Sequence, residues 1–236
     1  MKSEKLKKIK KLIVENKLET LVAVFLGITT LLVAWAGWIG SLHGGIQAIN
    51  FTKSNNLAAQ GNAEYNVAAQ VYISDLFSWN TVLSLRLDLE AARTKGDHDE
   101  AQIIETKIQK IKEDSCSPRL AEAMDEPRYR DGGASPFEDE NFTNGYFEEA
   151  KKLLDESQQT MEEGKTDNLR GDSYRLVSVI YSLVLFLLGT VGVLKDYQSR
   201  KMLFIFSACI LGFGIIYMLT IPMPTGFDIT NFFKLK

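Results

Sequence analysis

Charge is missing from three stretches of this chain, and that absence decides its class. Residues 21–42, 176–194 and 202–227 contain no Asp, Glu, Lys or Arg. With 45% hydrophobic residues and a mean hydropathy of -0.07, the chain averages to the profile of a soluble protein, so the average conceals strong segregation. Cysteine is nearly absent too: of the two, Cys116 and Cys209, the second lies inside a charge-free stretch, which excludes a disulfide framework within the chain. Cys116 keeps two readings, a bridge to its copy in another subunit or, more simply, a small tolerated thiol. Two histidines, His43 and His98, stand far apart in the sequence, and no HExxH, CxxC, nucleophile elbow or phosphate loop occurs. Neither a catalytic centre nor a metal or cofactor site is expected. Within the charge-free stretches only hydroxyls such as Thr29, Thr30, Ser178, Ser182, Thr190 and Ser207 are polar, which speaks against a proton-coupled transport path.

What is present fits a membrane protein. A hydrocarbon core of roughly 30 Å takes about 20 apolar residues at a helical rise of about 1.5 Å per residue. Each charge-free stretch is long enough, so the sequence predicts transmembrane helices over 20–42, 174–194 and 202–222, with Pro222 and Pro224 ending the third. Ala34-Trp35-Ala36 resembles a signal-peptide cleavage site, but the apolar run continues past it. The lead 1–19 carries seven lysines against three glutamates, and the connection 195–201 carries Lys195, Arg200 and Lys201. The positive-inside rule puts both in the cytoplasm, which leaves 43–173 and the tail 223–236 extracytoplasmic in the cell membrane. Segment 43–173 holds 14 Lys+Arg and 25 Asp+Glu, a net charge of -11 that the whole-chain value of -3 hides. In the lead, Leu6, Ile9, Leu12, Ile13 and Leu18 alternate with lysines; an ordinary basic flank explains this more simply than a helix lying on anionic lipid. No aromatic or arginine-rich reading surface accompanies the lysines, so no nucleic-acid partner is expected.

Between the first two spans the pattern is helical. No proline or turn cluster interrupts Trp35–Asn56, so the first helix is expected to leave the bilayer near Leu42 and run on to about Thr94, about 80 Å beyond the membrane. Leu83, Leu85, Leu87 and Leu89 alternate as in a strand, but Leu76, Trp79, Leu83 and Leu87 line one helical face, and no partner strand follows. Gly96 then marks a turn, with Asp97 a helix N-cap. Ala101, Ile104, Ile108 and Ile111 keep the spacing of one helical face over 98–114. A short helix over Pro118–Met124, a loop over 126–144 and a helix from about Gly145 into the second span complete the reading. Residues 98–114 should pack antiparallel on 78–94, and 145–173 on 45–75. The fold class is therefore all-α: three spans, with an elongated helical hairpin or bundle, of coiled-coil character, between the first and second.

Two lanes of small residues leave the first span, Ala36–Gly40–Gly44 and Gly37–Ser41–Gly45. Each recurs at every fourth position, so each lines one edge of a helix and lets another backbone approach. Packing within one chain and oligomerisation through the first span are equally good readings. Trp35, Trp38 and Tyr174 suit an aromatic belt. Asn50, Asn55, Asn56, Gln60, Asn62, Asn66 and Gln70 make the following helix rich in amides, which suits a packed bundle or a wet vestibule. Asn50 and Asn141 each open an Asn-Phe-Thr acceptor sequence for glycosylation, Asn141 being the better placed in its loop. The acidic runs 96–100 and 138–140 read more simply as solvated helix starts than as cation sites.

The first-span exit "AWAGWIGSLHGG", the "SPF" of Ser135–Phe137 and "DNLRGDSYRLVSVIYSLVLFLLGTVGVL" (167–194) carry a likeness. The chain resembles a family of uncharacterised bacterial and archaeal membrane proteins with one N-terminal span, a long helical insert and two C-terminal spans. That resemblance implies the architecture and brings no activity, ligand or catalytic residue. The functional expectation is a non-catalytic multi-pass subunit that contacts a second copy or another membrane or envelope protein through its acidic helical ectodomain. A homo-oligomeric channel with the first helix lining its entrance is the alternative.

Overall fold

The computed structural model describes residues 2–130 and 134–224, and side chains from residue 16 onward. Among the described residues every regular element is helical. Helix α1 spans Lys2–Lys95, α2 His98–Asp114, α3 Pro118–Ala123 and α4 Pro127–Arg130. A single 3₁₀ turn covers Pro136–Glu138, followed by α5 (Glu140–Asn144), α6 (Glu148–Val193) and α7 (Tyr197–Thr220). Three of these helices, α1, α6 and α7, are long and apolar enough to cross a membrane. Residues 2–19 of the lead lie inside α1, with the side chains of 1–15 outside the described residues, as are Gly132–Gly133 and the tail from 225.

Local chemistry sets the helix ends. Gly96 takes a φ of +77°, a left-handed conformation open to glycine without strain, and closes α1. Asp97 then caps α2 by accepting the Glu100 backbone N–H at 3.0 Å. Ser117 caps α3 with proline at the first helical position, where its missing N–H costs nothing. Within 126–144, expected as loop, the described residues instead form α4, the 3₁₀ turn and α5. Ser135 caps the turn ahead of Pro136, and Asp139 accepts from the Asn141 and Phe142 backbone N–H groups to cap α5. Below Thr220, Ile221 donates its N–H to Met218 O and the chain leaves α7 ahead of Pro222.

The chain divides into two units, Met1–Thr52 with Thr160–Lys236, and Lys53–Gln159. In the first, the buried residues of α6 recur at spacings of three and four: Tyr174, Val177, Tyr181, Val184, Leu188 and Val191 are all fully buried. Such a stripe faces a neighbouring helix along its length. Ala36 and Ile39 of α1 and Leu211 of α7 join it in one apolar cluster. Gly214 of α7 lies so close to Tyr181 that an added Cβ would come within 2.7 Å of the ring. Tyr174 is fully buried, with its Cβ 3.3 Å from the position a Cβ on Gly40 would take. Trp35 and Trp38 pack edge to face at 5.4 Å.

In the second unit, Leu89 and Ala92 of α1 pack on Ala101 and Ile104 of α2, the pairing expected of 78–94 with 98–114. Arg93 and Glu105 bridge the same two helices at 2.5 Å. Trp79 and Val82 meet Leu120, Ala123, Met124 and Tyr129 in a second cluster. α1 and α6 also meet here. Ser54 and Ser157 exchange hydrogen bonds, each hydroxyl donating to the other's carbonyl oxygen at 2.8 Å. An added Cβ on Gly61 would come within 2.9 Å of Leu154.

Candidate functional site

Two glycines open the most unusual polar arrangement of the first unit. Gly40 of α1 and Gly171 of α6 face each other so closely that a Cβ on either would sit 3.3–3.4 Å from the other's carbonyl oxygen. Beside these close backbones sit two buried rings, Tyr174, whose Cβ is 3.3 Å from a Cβ on Gly40, and His43, one turn beyond Gly40, whose Cβ is 3.4 Å from a Cβ on Gly171. His43 is fully buried and Asp167 is 5% exposed. The His43 Nδ1 lies 2.9 Å from Asp167 Oδ1, and its Nε2 lies 3.2 Å from the carbonyl oxygen of Pro222. The Tyr174 ring stacks beside the imidazole, with centroids 5.8 Å apart. Its hydroxyl donates to the Ile221 carbonyl oxygen at 3.3 Å and approaches Met223 Sδ at 3.6 Å. Arg170 Nη1 stands 3.9 Å from the same Asp167 oxygen that His43 meets. Asp167 and Tyr174 of α6 and Pro222 after α7 thus converge on the imidazole that α1 supplies.

Sequence reasoning missed this site because its members are scattered, with His43 and Asp167 lying 124 positions apart. The available signal was the glycine pair Gly40 and Gly171, each followed three residues later by a ring, His43 and Tyr174.

A second polar node lies in the other unit around Asp75, which is 1% exposed. Its carboxylate accepts the Ser117 backbone N–H at 2.8 Å, the Ser117 hydroxyl, and the Tyr146 hydroxyl at 2.6 Å. Three donors satisfy a charge that burial would otherwise make costly. Burial, followed by the bond to Asp75, pushes the Tyr146 phenol up from its ordinary value. Burial and the nearby Asp75 charge likewise raise the Cys116 thiol. The Arg119 guanidinium covers the Tyr146 and Phe142 rings and donates to the Phe142 carbonyl oxygen at 3.1 Å. Tyr72 and Phe142 pack edge to face on Tyr146, and Phe137 packs edge to face on both of them. Every member is engaged with another, which makes the node a clamp joining α1, α3 and the turn before α6.

The small-residue lanes separate. Ala36 is fully buried and Gly40 touches α6, so the first lane is occupied within the chain as far as Gly40, while Gly44 has no side chain within reach of an added Cβ. In the second lane Gly37, Ser41 and Gly45 are all exposed, and nothing lies within 4 Å of a Cβ on Gly45. Asn50 is half-buried on α1 beside Gly164, whereas Asn141 is exposed in α5. The acidic runs are helix starts: Asp97 caps α2, with Asp99 and Glu100 in its first turn, and Asp139 caps α5. His98 is exposed at the start of α2. Among the described residues no group of three or more His, Cys, Asp or Glu is placed to hold a metal ion. Beyond the bilayer segments, Ile73, Phe77 and Leu87 of α1 keep a helical spacing and are 51%, 70% and 64% exposed.

No protein-family model, curated protein or solved structure matches the chain.

Proposed function

We propose that the chain is a non-catalytic, multi-pass membrane subunit that assembles with copies of itself through the outer end of its first span and presents residues 43–173 as an acidic, elongated, coiled-coil-like ectodomain for contact with a membrane or envelope partner. The observation that carries the reading is the division of the two lanes. Ala36 and Gly40 are used inside the chain, while Gly37, Ser41 and Gly45 stay exposed on a helix of membrane-spanning composition. Side chains this small leave a backbone surface that gains van der Waals contact chiefly when another helix lies along it, and lipid tails supply no competing hydrophobic drive. The stripe of Ile73, Phe77 and Leu87 adds support, since apolar side chains this exposed in water mark contact surfaces. Basic residues in the lead and in 195–201 support a cytoplasmic N-terminus and an outer ectodomain. The architecture also agrees with the resemblance to membrane proteins that carry a helical insert after one span.

Light scattering on the full chain in a gentle detergent tests this. Wild type should run as a dimer or larger assembly, and Ser41→Leu with Gly45→Leu should run as a monomer of unchanged helicity, because leucine favours helix over glycine. A wild-type monomer at every concentration would remove the reading. The channel alternative uses the same contact between copies. It predicts ion flux through protein-loaded vesicles, which tight vesicles would exclude.

A further inference from the structure

The arrangement around His43 fixes a proton count. A carbonyl oxygen only accepts, so the 3.2 Å contact with Pro222 O requires a hydrogen on Nε2. At 2.9 Å from Asp167, Nδ1 either donates to the carboxylate or accepts from a protonated carboxyl. Both contacts are therefore satisfied together in only two ways: imidazolium beside carboxylate, or neutral imidazole beside carboxylic acid. Each carries one proton more than neutral imidazole beside carboxylate. Without that proton, the Nδ1–H tautomer keeps Asp167 but turns a lone pair toward the Pro222 carbonyl. The Nε2–H tautomer keeps Pro222 but sets a lone pair against Asp167. One of two buried contacts is lost in either case, and no water-exposed face of His43 is free to compensate, because the ring is fully buried.

We propose that His43 and Asp167 form a binding site for a single proton, and that the bound proton holds Ile221–Met223 against α1 and α6. The groups facing the pair agree with this. From α6, Arg170 sets a positive charge 3.9 Å from Asp167 Oδ1, which favours the distribution with the proton on His43. Tyr174, also from α6, offers its ring face at 5.8 Å, within the range over which an aromatic face attracts a cation. The described residues after α7, Ile221–Pro224, contribute the Pro222 carbonyl oxygen and Met223 Sδ, and carry no charged side chain. On α1 itself no charged residue lies between Thr20 and Lys53. The proton comes from solvent and returns to it as the pH rises, with no other bond made or broken. The site goes beyond the assembly reading: it ties the exit of the third span to proton activity.

A nitroxide at Met223→Cys, in the full chain with Cys116→Ser and Cys209→Ser in lipid vesicles, reads the tether. Met223 is 46% exposed, so the label has room. Its spectrum should be restrained at low pH and loosen over a single-proton transition as the pH rises. Asp167→Asn separates this from simple loss of a contact. An asparagine amide donates to Nδ1 while Nε2–H still donates to Pro222 O, so the label should stay restrained at every pH. The unlabelled wild type supplies a second measurement by nuclear magnetic resonance with ¹⁵N-histidine and ¹³C-aspartate. In the low-pH state the pair should hold its extra proton, with His98 identified through His98→Asn. An unchanging label spectrum in wild type, wild-type pH dependence in Asp167→Asn, or a singly protonated His43 beside ionised Asp167 with the tether in place would each overturn the proposal.

Discussion

Removing the Asp75 carboxylate should open the second unit locally, by an amount the geometry sets. Three donors converge on it: the Ser117 N–H, the Ser117 hydroxyl and the Tyr146 hydroxyl. A hydrogen bond to a charged group contributes about 1.5–3 kcal/mol, but deleting the carboxylate also relieves the burial of a charge. Ser117 and Tyr146 are half-buried, so water partly replaces the lost acceptor. The net cost of Asp75→Ala is then about 2–4 kcal/mol. At about 1.36 kcal/mol per factor of ten, amides at the start of α3 should exchange hydrogen roughly 30- to 900-fold faster, since local opening governs their exchange. Tyr146→Phe removes one of the three bonds and should accelerate exchange about tenfold. Together the two changes should cost less than their sum, because the phenol has no carboxylate left to lose. Exchange measured by mass spectrometry on the full chain in detergent checks this. Asp75→Ala within about twofold of wild type would refute the idea that the carboxylate clamps α1 to α3.

Glycines give opposite outcomes according to what faces them. Gly61→Val should destabilise by about 1–3 kcal/mol, because Leu154 lies 2.9 Å from the added Cβ and Ala150 O 3.3 Å, whereas Gly44→Ala meets nothing and should stabilise α1 by about 0.5–1 kcal/mol. Denaturation in mixed detergent compares the two. Acid should fray α5. The Asn141 backbone N–H holds the Asp139 carboxyl below its ordinary value, so the cap contributes above the unfolded value, near ~4, and is lost as pH falls through the folded one. Exchange of the α5 amides, corrected for intrinsic rates, should show this loss, and Asp139→Asn should remove its pH dependence. A thiol at Asn62→Cys, an exposed position in 43–173, should react with an impermeant maleimide on intact cells whose outer wall is permeable. Labelling only after lysis would reverse the proposed orientation.

Features that are local in sequence were legible in it. The turn at Gly96, the cap at Asp97, the helix opened by Ser117-Pro118 and three apolar helices follow from a few neighbouring residues. The Leu83–Leu89 alternation resolved to helix, but the buried face runs through Trp79, Val82 and Leu89, while Leu83 and Leu87, expected beside Trp79, are exposed. The segment 126–144 misled through its glycines and prolines, although Ser135 before Pro136 and Asp139 before Glu140 are cap signals in plain view. What sequence could not supply is pairing between distant positions. Nothing near His43 distinguishes a histidine held by Asp167 from a solvated one, and nothing near Gly40 says that Gly171 will face it. Two lanes of similarly small residues became unequal only once α6 covered one of them.

That inequality makes Ser41 the place to test assembly. With Cys116→Ser and Cys209→Ser removing the native thiols, Ser41→Cys should cross-link to its copy under mild oxidation in native membranes. Ile28→Cys, an exposed α1 position about 140° around the helix from Ser41, should not. A disulfide between copies at position 41 and none at 28 is the predicted result. Equal cross-linking at both positions, or none at either, would contradict a subunit that assembles through the exposed lane of its first span.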